Sequence, residues 1–195
     1  RAFPADFQQG IHRIPGGYVE NRPFLRSLYQ LMSSYAALGD YEGASAIGDE
    51  LLGYDFEDRM GTRLELPKYL MNLGRFRKAV ELFEGKRYEG TFDVADYLYP
   101  VALLHLGEAE KASEAVDSCL YKPRIAKYLL NPTLPPPEPE NPFFGITSGS
   151  EIEGYYCANE FREFWFSHED AFPLLMEKSK EAEKQEWPAF LRGKT

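Results

Sequence analysis

Apolar residues recur along most of this chain at intervals of three and four, the spacing that lines one face of an α-helix. Leu25, Leu28, Leu31, Met32, Tyr35 and Leu38 mark a first helix over 23–38. Pro23 suits its first turn, where a missing N–H costs nothing. Tyr41, Ala44, Ile47, Leu51 and Leu52 mark a partner helix over 40–53. The pattern then restarts. Leu64, Leu66, Leu70, Met71 and Leu73 predict a helix over roughly 58–73, and Phe76, Ala79, Val80, Leu82 and Phe83 its partner over 75–85. A third pair is expected over 93–106 and 108–120, with Val94, Tyr97, Leu98, Val101, Leu104, Ala112, Val116 and Leu120 on its apolar faces.

The three pairs share a signature at their turns. Leu38-Gly39-Asp40-Tyr41-Glu42-Gly43-Ala44 returns as Leu73-Gly74-Arg75-Phe76-Arg77-Lys78-Ala79 and as Leu106-Gly107-Glu108-Ala109-Glu110-Lys111-Ala112. Each reads Leu-Gly-x-x-x-x-Ala, with the leucines 35 and then 33 residues apart. A period near 34 is the mark of a helix–turn–helix repeat. The glycine stops the first helix, and the alanine is small enough for the two helices to approach closely. Pro67 and Pro100 each precede the repeat leucine by six residues. Proline inside a helix removes a hydrogen bond and costs about 3 kcal/mol, so either both helices bend there or each begins near its proline.

The flanks read differently. Residues 1–22 carry no helical period, and Ile14-Pro15-Gly16-Gly17-Tyr18 is a turn by its chemistry. Two adjacent glycines lack the spacing of a phosphate-binding loop. The segment is expected to run extended, with Phe3, Phe7 and Tyr18 on the first helix. Residues 23–130 form the repeat array, closed by Pro123 and a short helical turn over Ile125–Leu130. Residues 131–149 are rich in proline and favour an extended polyproline conformation. Pro132 and Pro135 have the P-x-x-P spacing of an SH3-type ligand. The favoured reading is a stiff strap across the array, anchored by Phe143 and Phe144. Residues 150–195 hold capping helices and a tail. Ser150 with Glu153 opens one helix to about Phe166, and Ser167 with Asp170 opens another to about Lys184.

Charge and composition narrow the function. The formal net charge of −9 disfavours nucleic acid and anionic membranes, because phosphate is repelled. Two cysteines, Cys119 and Cys157, are too few for a disulfide framework or a structural zinc site. No apolar run spans a bilayer, and the polar start from Arg1 to Gln9 lacks the features of a leader. These features point to the cytoplasm. An opening Arg1 in place of Met suggests a piece of a longer protein. No cofactor or metal motif is present. His168-Glu169 lacks the second histidine of a zinc protease helix. Cys119 sits on an apolar helical face, where a buried inert thiol is the expectation rather than a nucleophile paired with His105.

The Leu-Gly-x-aromatic-x-x-Ala motif at this period resembles the tetratricopeptide repeat. The aromatic is Tyr41 and Phe76 in two copies and Ala109 in the third, while the family's tryptophan-like position falls on Leu28, Arg63 and Asp96. A wider likeness rests on Glu20-Asn21-Arg22-Pro23-Phe24, Asp58-x-x-Gly61-x-Arg63 and Lys127-Tyr128-Leu129-Leu130. These are similar to repeat proteins related to the suppressor-of-tumorigenicity-seven family. The resemblance implies an all-α fold: a tetratricopeptide-like α-α superhelix of about three helix pairs with a C-terminal helical cap. It also implies a concave groove lined by the first helix of each pair. By that analogy the groove residues are Arg26, Tyr29 and Ser33, then Leu64, Lys68 and Asn72, then Tyr97, Val101 and His105. The lysine, arginine and asparagine clamp for chaperone tails is missing, so binding of Hsp70 or Hsp90 tails is disfavoured. The expected role is a non-catalytic scaffold for a protein or peptide, with a regulatory or targeting module of a longer enzyme as the alternative.

Overall fold

A computed structural model describes residues 7–8, 11–85, 93–138 and 146–184. The fold is all-α. Among these residues are nine α-helices and no strand: α1 (Arg22–Ala37), α2 (Tyr41–Tyr54), α3 (Thr62–Asn72), α4 (Phe76–Glu84), α5 (Asp93–His105), α6 (Ala109–Cys119), α7 (Pro123–Leu130), α8 (Glu151–Phe166) and α9 (Ala171–Lys184). Consecutive helices pack as pairs, α1 with α2, α3 with α4, α5 with α6 and α7 with α8. The chain divides into two compact units, Arg1–Gly85 and Lys86–Thr195.

The repeated signature builds one turn three times. Gly39, Gly74 and Gly107 have φ of 76°, 69° and 74°, a left-handed conformation that side chains with a Cβ resist. The glycine N–H donates to the carbonyl three residues back, at 2.9 Å to Ala36, 3.0 Å to Met71 and 2.9 Å to Leu104. The next N–H donates five residues back, from Asp40 to Tyr35 at 2.9 Å, Arg75 to Leu70 at 2.8 Å and Glu108 to Leu103 at 3.0 Å. This pairing is the Schellman motif, which satisfies carbonyls a helix end would otherwise leave bare. Four residues after each Asp40, Arg75 or Glu108 comes the signature alanine. Ala44, Ala79 and Ala112 are wholly buried, and each N–H returns to the carbonyl of that residue. The turn reverses the chain, and the alanine lets the second helix close on the first.

In the first unit, α1, α2 and α3 converge on Met32, Gly48 and Leu66. A Cβ placed on Gly48 would lie 2.9 Å from Leu66 Cδ1 and 3.3 Å from Met32 Sδ, so glycine is what permits that approach. The α2–α3 loop shortens the helix expected from residue 58. Asp58 has φ of 53°, and its carboxylate accepts from the amides of Thr62 at 2.7 Å and Arg63 at 2.9 Å. The acidic group therefore caps α3 from outside it. Ahead of α1 the chain makes a 3-10 turn over Val19–Asn21. The Ile14 N–H donates to Tyr54 O at 2.9 Å, Asn21 Nδ2 to Pro15 O at 3.0 Å and Arg22 Nε to Gly16 O at 3.2 Å. Ile14 is buried and the Phe7 ring lies 6.1 Å from that of Tyr54 on α2, whereas Tyr18 stays exposed. Phe3 lies outside the described residues, Phe7 and Ile14 meet Tyr54 of α2, and Tyr18 does not pack on the first helix as expected.

In the second unit, the stretch expected to be a capping turn is a full helix, α7. Pro123 opens it, and Ile125, Ala126, Tyr128 and Leu129 are buried. It packs on α8 at Gly154, where an added Cβ would sit 2.9 Å from Arg124 Cγ and 3.2 Å from the Arg124 backbone. Ser150 caps α8, accepting from the Glu153 N–H at 3.2 Å, while the Glu153 carboxylate accepts from Gly149 N. The second expected cap is different. Ser167 closes α8 by donating to Phe164 O at 2.6 Å, and α9 starts only at Ala171. Pro67 and Pro100 lie inside α3 and α5, several residues past each helix start. Phe143 and Phe144 lie outside the described residues.

Replacing Gly74 by Ala isolates the turn, because nothing lies within 4 Å of the added Cβ and only the left-handed φ is strained. Gly74→Ala should lower the unfolding free energy by about 1 kcal/mol, measured by urea denaturation followed by circular dichroism. An unchanged midpoint would show that the left-handed residue does not hold the turn.

Candidate functional site

The sequence places nine candidate groove residues on the first helices of the pairs. In the first unit these are α1 and α3. Arg26 is exposed and Tyr29 half-buried on α1. Burial first, then the carboxylate of Glu65, pushes the Tyr29 phenol above its ordinary value, with Lys68 opposing and Asp58 adding to the rise. Tyr29 on α1 is thus within electrostatic reach of Glu65 and Lys68 on α3 and of Asp58 ahead of it. Lys68 is buried on α3 and pairs with Glu65 at 2.8 Å. The ring of Tyr69 stacks on that of Tyr41 at 6.2 Å.

Two candidates spend their groups on their own helices. Ser33 Oγ donates to Tyr29 O at 3.0 Å, and Asn72 Nδ2 donates to Lys68 O at 2.9 Å. The face available for recognition is therefore Arg26 and Tyr29 beside the Glu65–Lys68 pair. Glu65, Tyr69 and Tyr41 were not among the expected residues. The Glu65 and Lys68 spacing of three on a helix was a readable signal for an ion pair.

The second unit treats its share differently. Tyr97 and Val101 of α5 are wholly buried. The Tyr97 ring meets Trp165 of α8 at 6.4 Å. Its hydroxyl donates to Lys122 O at 2.8 Å and accepts from the Ala126 N–H at 3.2 Å, binding the start of α7. Lys122 in turn pairs with Asp96 at 2.6 Å. Tyr97 therefore packs the core and does not line an open surface. This part of α5 packs on α8.

His105, at the end of α5, meets the α8–α9 connection. Its ring lies 4.9 Å from that of His168, edge to face, and Nε2 lies 2.9 Å from Ser167 Oγ. Because the Ser167 proton goes to Phe164 O, we assign the imidazole as donor to the hydroxyl. Activation of a serine nucleophile needs the reverse polarity. Cys119 is wholly buried, its thiol donating to Val116 O at 3.1 Å, and burial pushes its pKa far up. A protonated, sealed thiol is not a nucleophile. No group of three His, Cys, Asp or Glu side chains among the described residues is placed to hold a metal ion. None of the described helices is long and apolar enough to cross a membrane.

Compared with protein families, with curated proteins and with solved structures, the chain matches nothing.

The histidine pair carries a pH dependence. Burial, and then the neighbouring His168, holds His105 below the ordinary histidine value of 6.5. The folded chain thus resists a proton that the unfolded chain accepts. Stability from this site is complete above pH 6.5 and falls as pH drops through the window beneath it. Thermal unfolding followed across that window should show the loss, and His105→Gln should flatten it. An unaltered slope in the variant would place the dependence elsewhere.

Proposed function

We propose that this chain is a non-catalytic scaffold that binds a protein or peptide on the α1–α3 face of its first unit. The tetratricopeptide resemblance supports this reading, since three turns share one signature and one hydrogen-bond pattern. The single observation that carries it is that Tyr29, half-buried on α1, lies within electrostatic reach of the Glu65–Lys68 ion pair on α3, with Arg26 exposed one turn earlier on α1. An aromatic ring flanked by charges of both signs suits a polypeptide, which offers apolar side chains, amides and charges together. Tyr29 and Ser33 stand at or near positions where chaperone-binding relatives carry the clamp for a terminal carboxylate, so Hsp70 and Hsp90 tails are not the partners proposed. The partner is a protein rather than nucleic acid or membrane, given the net charge of −9. A cytoplasmic setting fits two free cysteines.

The test is affinity capture with the intact chain, comparing wild type with Tyr29→Ala and Arg26→Glu. Both positions are away from the wholly buried core, so circular dichroism should show the helices intact. The expected result is loss of the captured partner in either variant, because interface aromatics and arginines commonly contribute about 2 kcal/mol or more. Equal capture by all three proteins would count against this face.

A further inference from the structure

The proline-rich segment is the one sequence feature that the scaffold reading leaves unused. Its near end is firmly held. The N–H and the side-chain amide of Asn131 both reach Lys127 O, at 3.1 and 2.9 Å, closing α7. The Leu134 N–H then donates to Asn131 O at 3.1 Å, so residues 131–134 form a turn. Pro132 therefore lies in that turn and Pro135 beyond it, and the P-x-x-P spacing does not fall on one continuous extended helix. Past the turn, residues 135–138 have neither helix nor strand.

Sequence dictates what such a run does. Pro135, Pro136 and Pro137 each fix φ and lack an N–H, and each restricts the residue before it to extended backbone. The result is polyproline II, three residues per turn, with its carbonyls left to solvent or to a partner. Leu134, Pro135, Pro136 and Glu138 are exposed and Pro137 is half-buried. Most of the run therefore stands open to a partner, the presentation that proline-reading domains grip.

We propose that Leu134–Glu138 is a docking segment for a domain whose aromatic-lined groove reads polyproline II. Charge selects among such grooves. Between Lys127 and Arg162 the sequence contains no lysine or arginine, and the run carries Glu138 and is followed by Glu140. A groove with an acidic rim, which needs a basic residue beside the prolines, is repelled. The fitting partner has an uncharged or basic rim. The segment lies in the second unit and shares no residue with the α1–α3 face, so this inference stands or falls apart from the scaffold site.

The test titrates the full chain with purified WW, EVH1 and SH3 domains whose groove rims span acidic to basic, read by calorimetry. At least one domain with a neutral or basic rim should bind saturably in the micromolar range. Pro135→Ala with Pro136→Ala should weaken that binding by about tenfold or more, with helix content and melting temperature unchanged. Glu138→Lys should move the preference toward acidic-rimmed SH3 domains. Absence of saturable binding across the panel, equal binding by the double variant, or a wild-type preference for acidic rims would each overturn the proposal.

Discussion

A helix can be followed closely by another only if the chain reverses within a few residues and leaves no helix-end carbonyl stranded. In this protein a left-handed glycine meets both demands three times over. With φ near 70° at Gly39, Gly74 and Gly107, the following amides turn back onto the helix just ended. The reversal also sets where the second helix starts, and so which of its residues first faces the first helix. That residue is alanine in every copy, and all three are wholly buried. Turn geometry and close packing are therefore one constraint. A larger residue at the alanine would push the helices apart, and any other residue at the glycine would strain the turn.

The two units use this hairpin to different ends. In the first, Tyr29 of α1 stays half-buried within electrostatic reach of the Glu65–Lys68 pair of α3, and Arg26 of α1 is exposed. In the second, Leu98, Val101 and Ala102 of α5 are wholly buried, and α5 packs against both α6 and α8. Trp165 and Phe161, both wholly buried, supply the bulk on the α8 side. Burying two such aromatic side chains stabilises the packing by roughly 25 cal/mol per Å² of apolar area removed from water.

Polar groups at the α7–α8 contact show the same economy. Burial works to raise the Glu151 carboxyl, yet hydrogen bonds from Lys127 at 2.6 Å and Tyr128 at 3.0 Å together hold it below the usual carboxylate range. Arg162 donates to Tyr128 O at 3.2 Å, and Gly154 lets Arg124 lie flat on the partner helix. Short helices such as α7, with eight residues, are marginal alone. Its stability comes from this contact and from the Tyr97 hydroxyl at its start.

Reading residues alone recovered the helix class, the three turns and the buried alanines, because these depend on local chemistry. Glycine's freedom at positive φ, proline's fit in a first turn and apolar spacing act over a few residues each. The same reading missed where α3 begins, since the Asp58 carboxylate caps it from a loop whose shape depends on contacts beyond the sequence window. It placed Ser167 at the start of α9, whereas the hydroxyl is taken up by Phe164 and His105 at the end of α8. It assigned Tyr97 and Tyr29 to one groove, because equivalent positions in a repeat look alike. Only tertiary packing tells them apart. His105 and Ser167, 62 positions apart, come into hydrogen-bond contact because α8 and α9 fold back on α5, and no local pattern encodes that return.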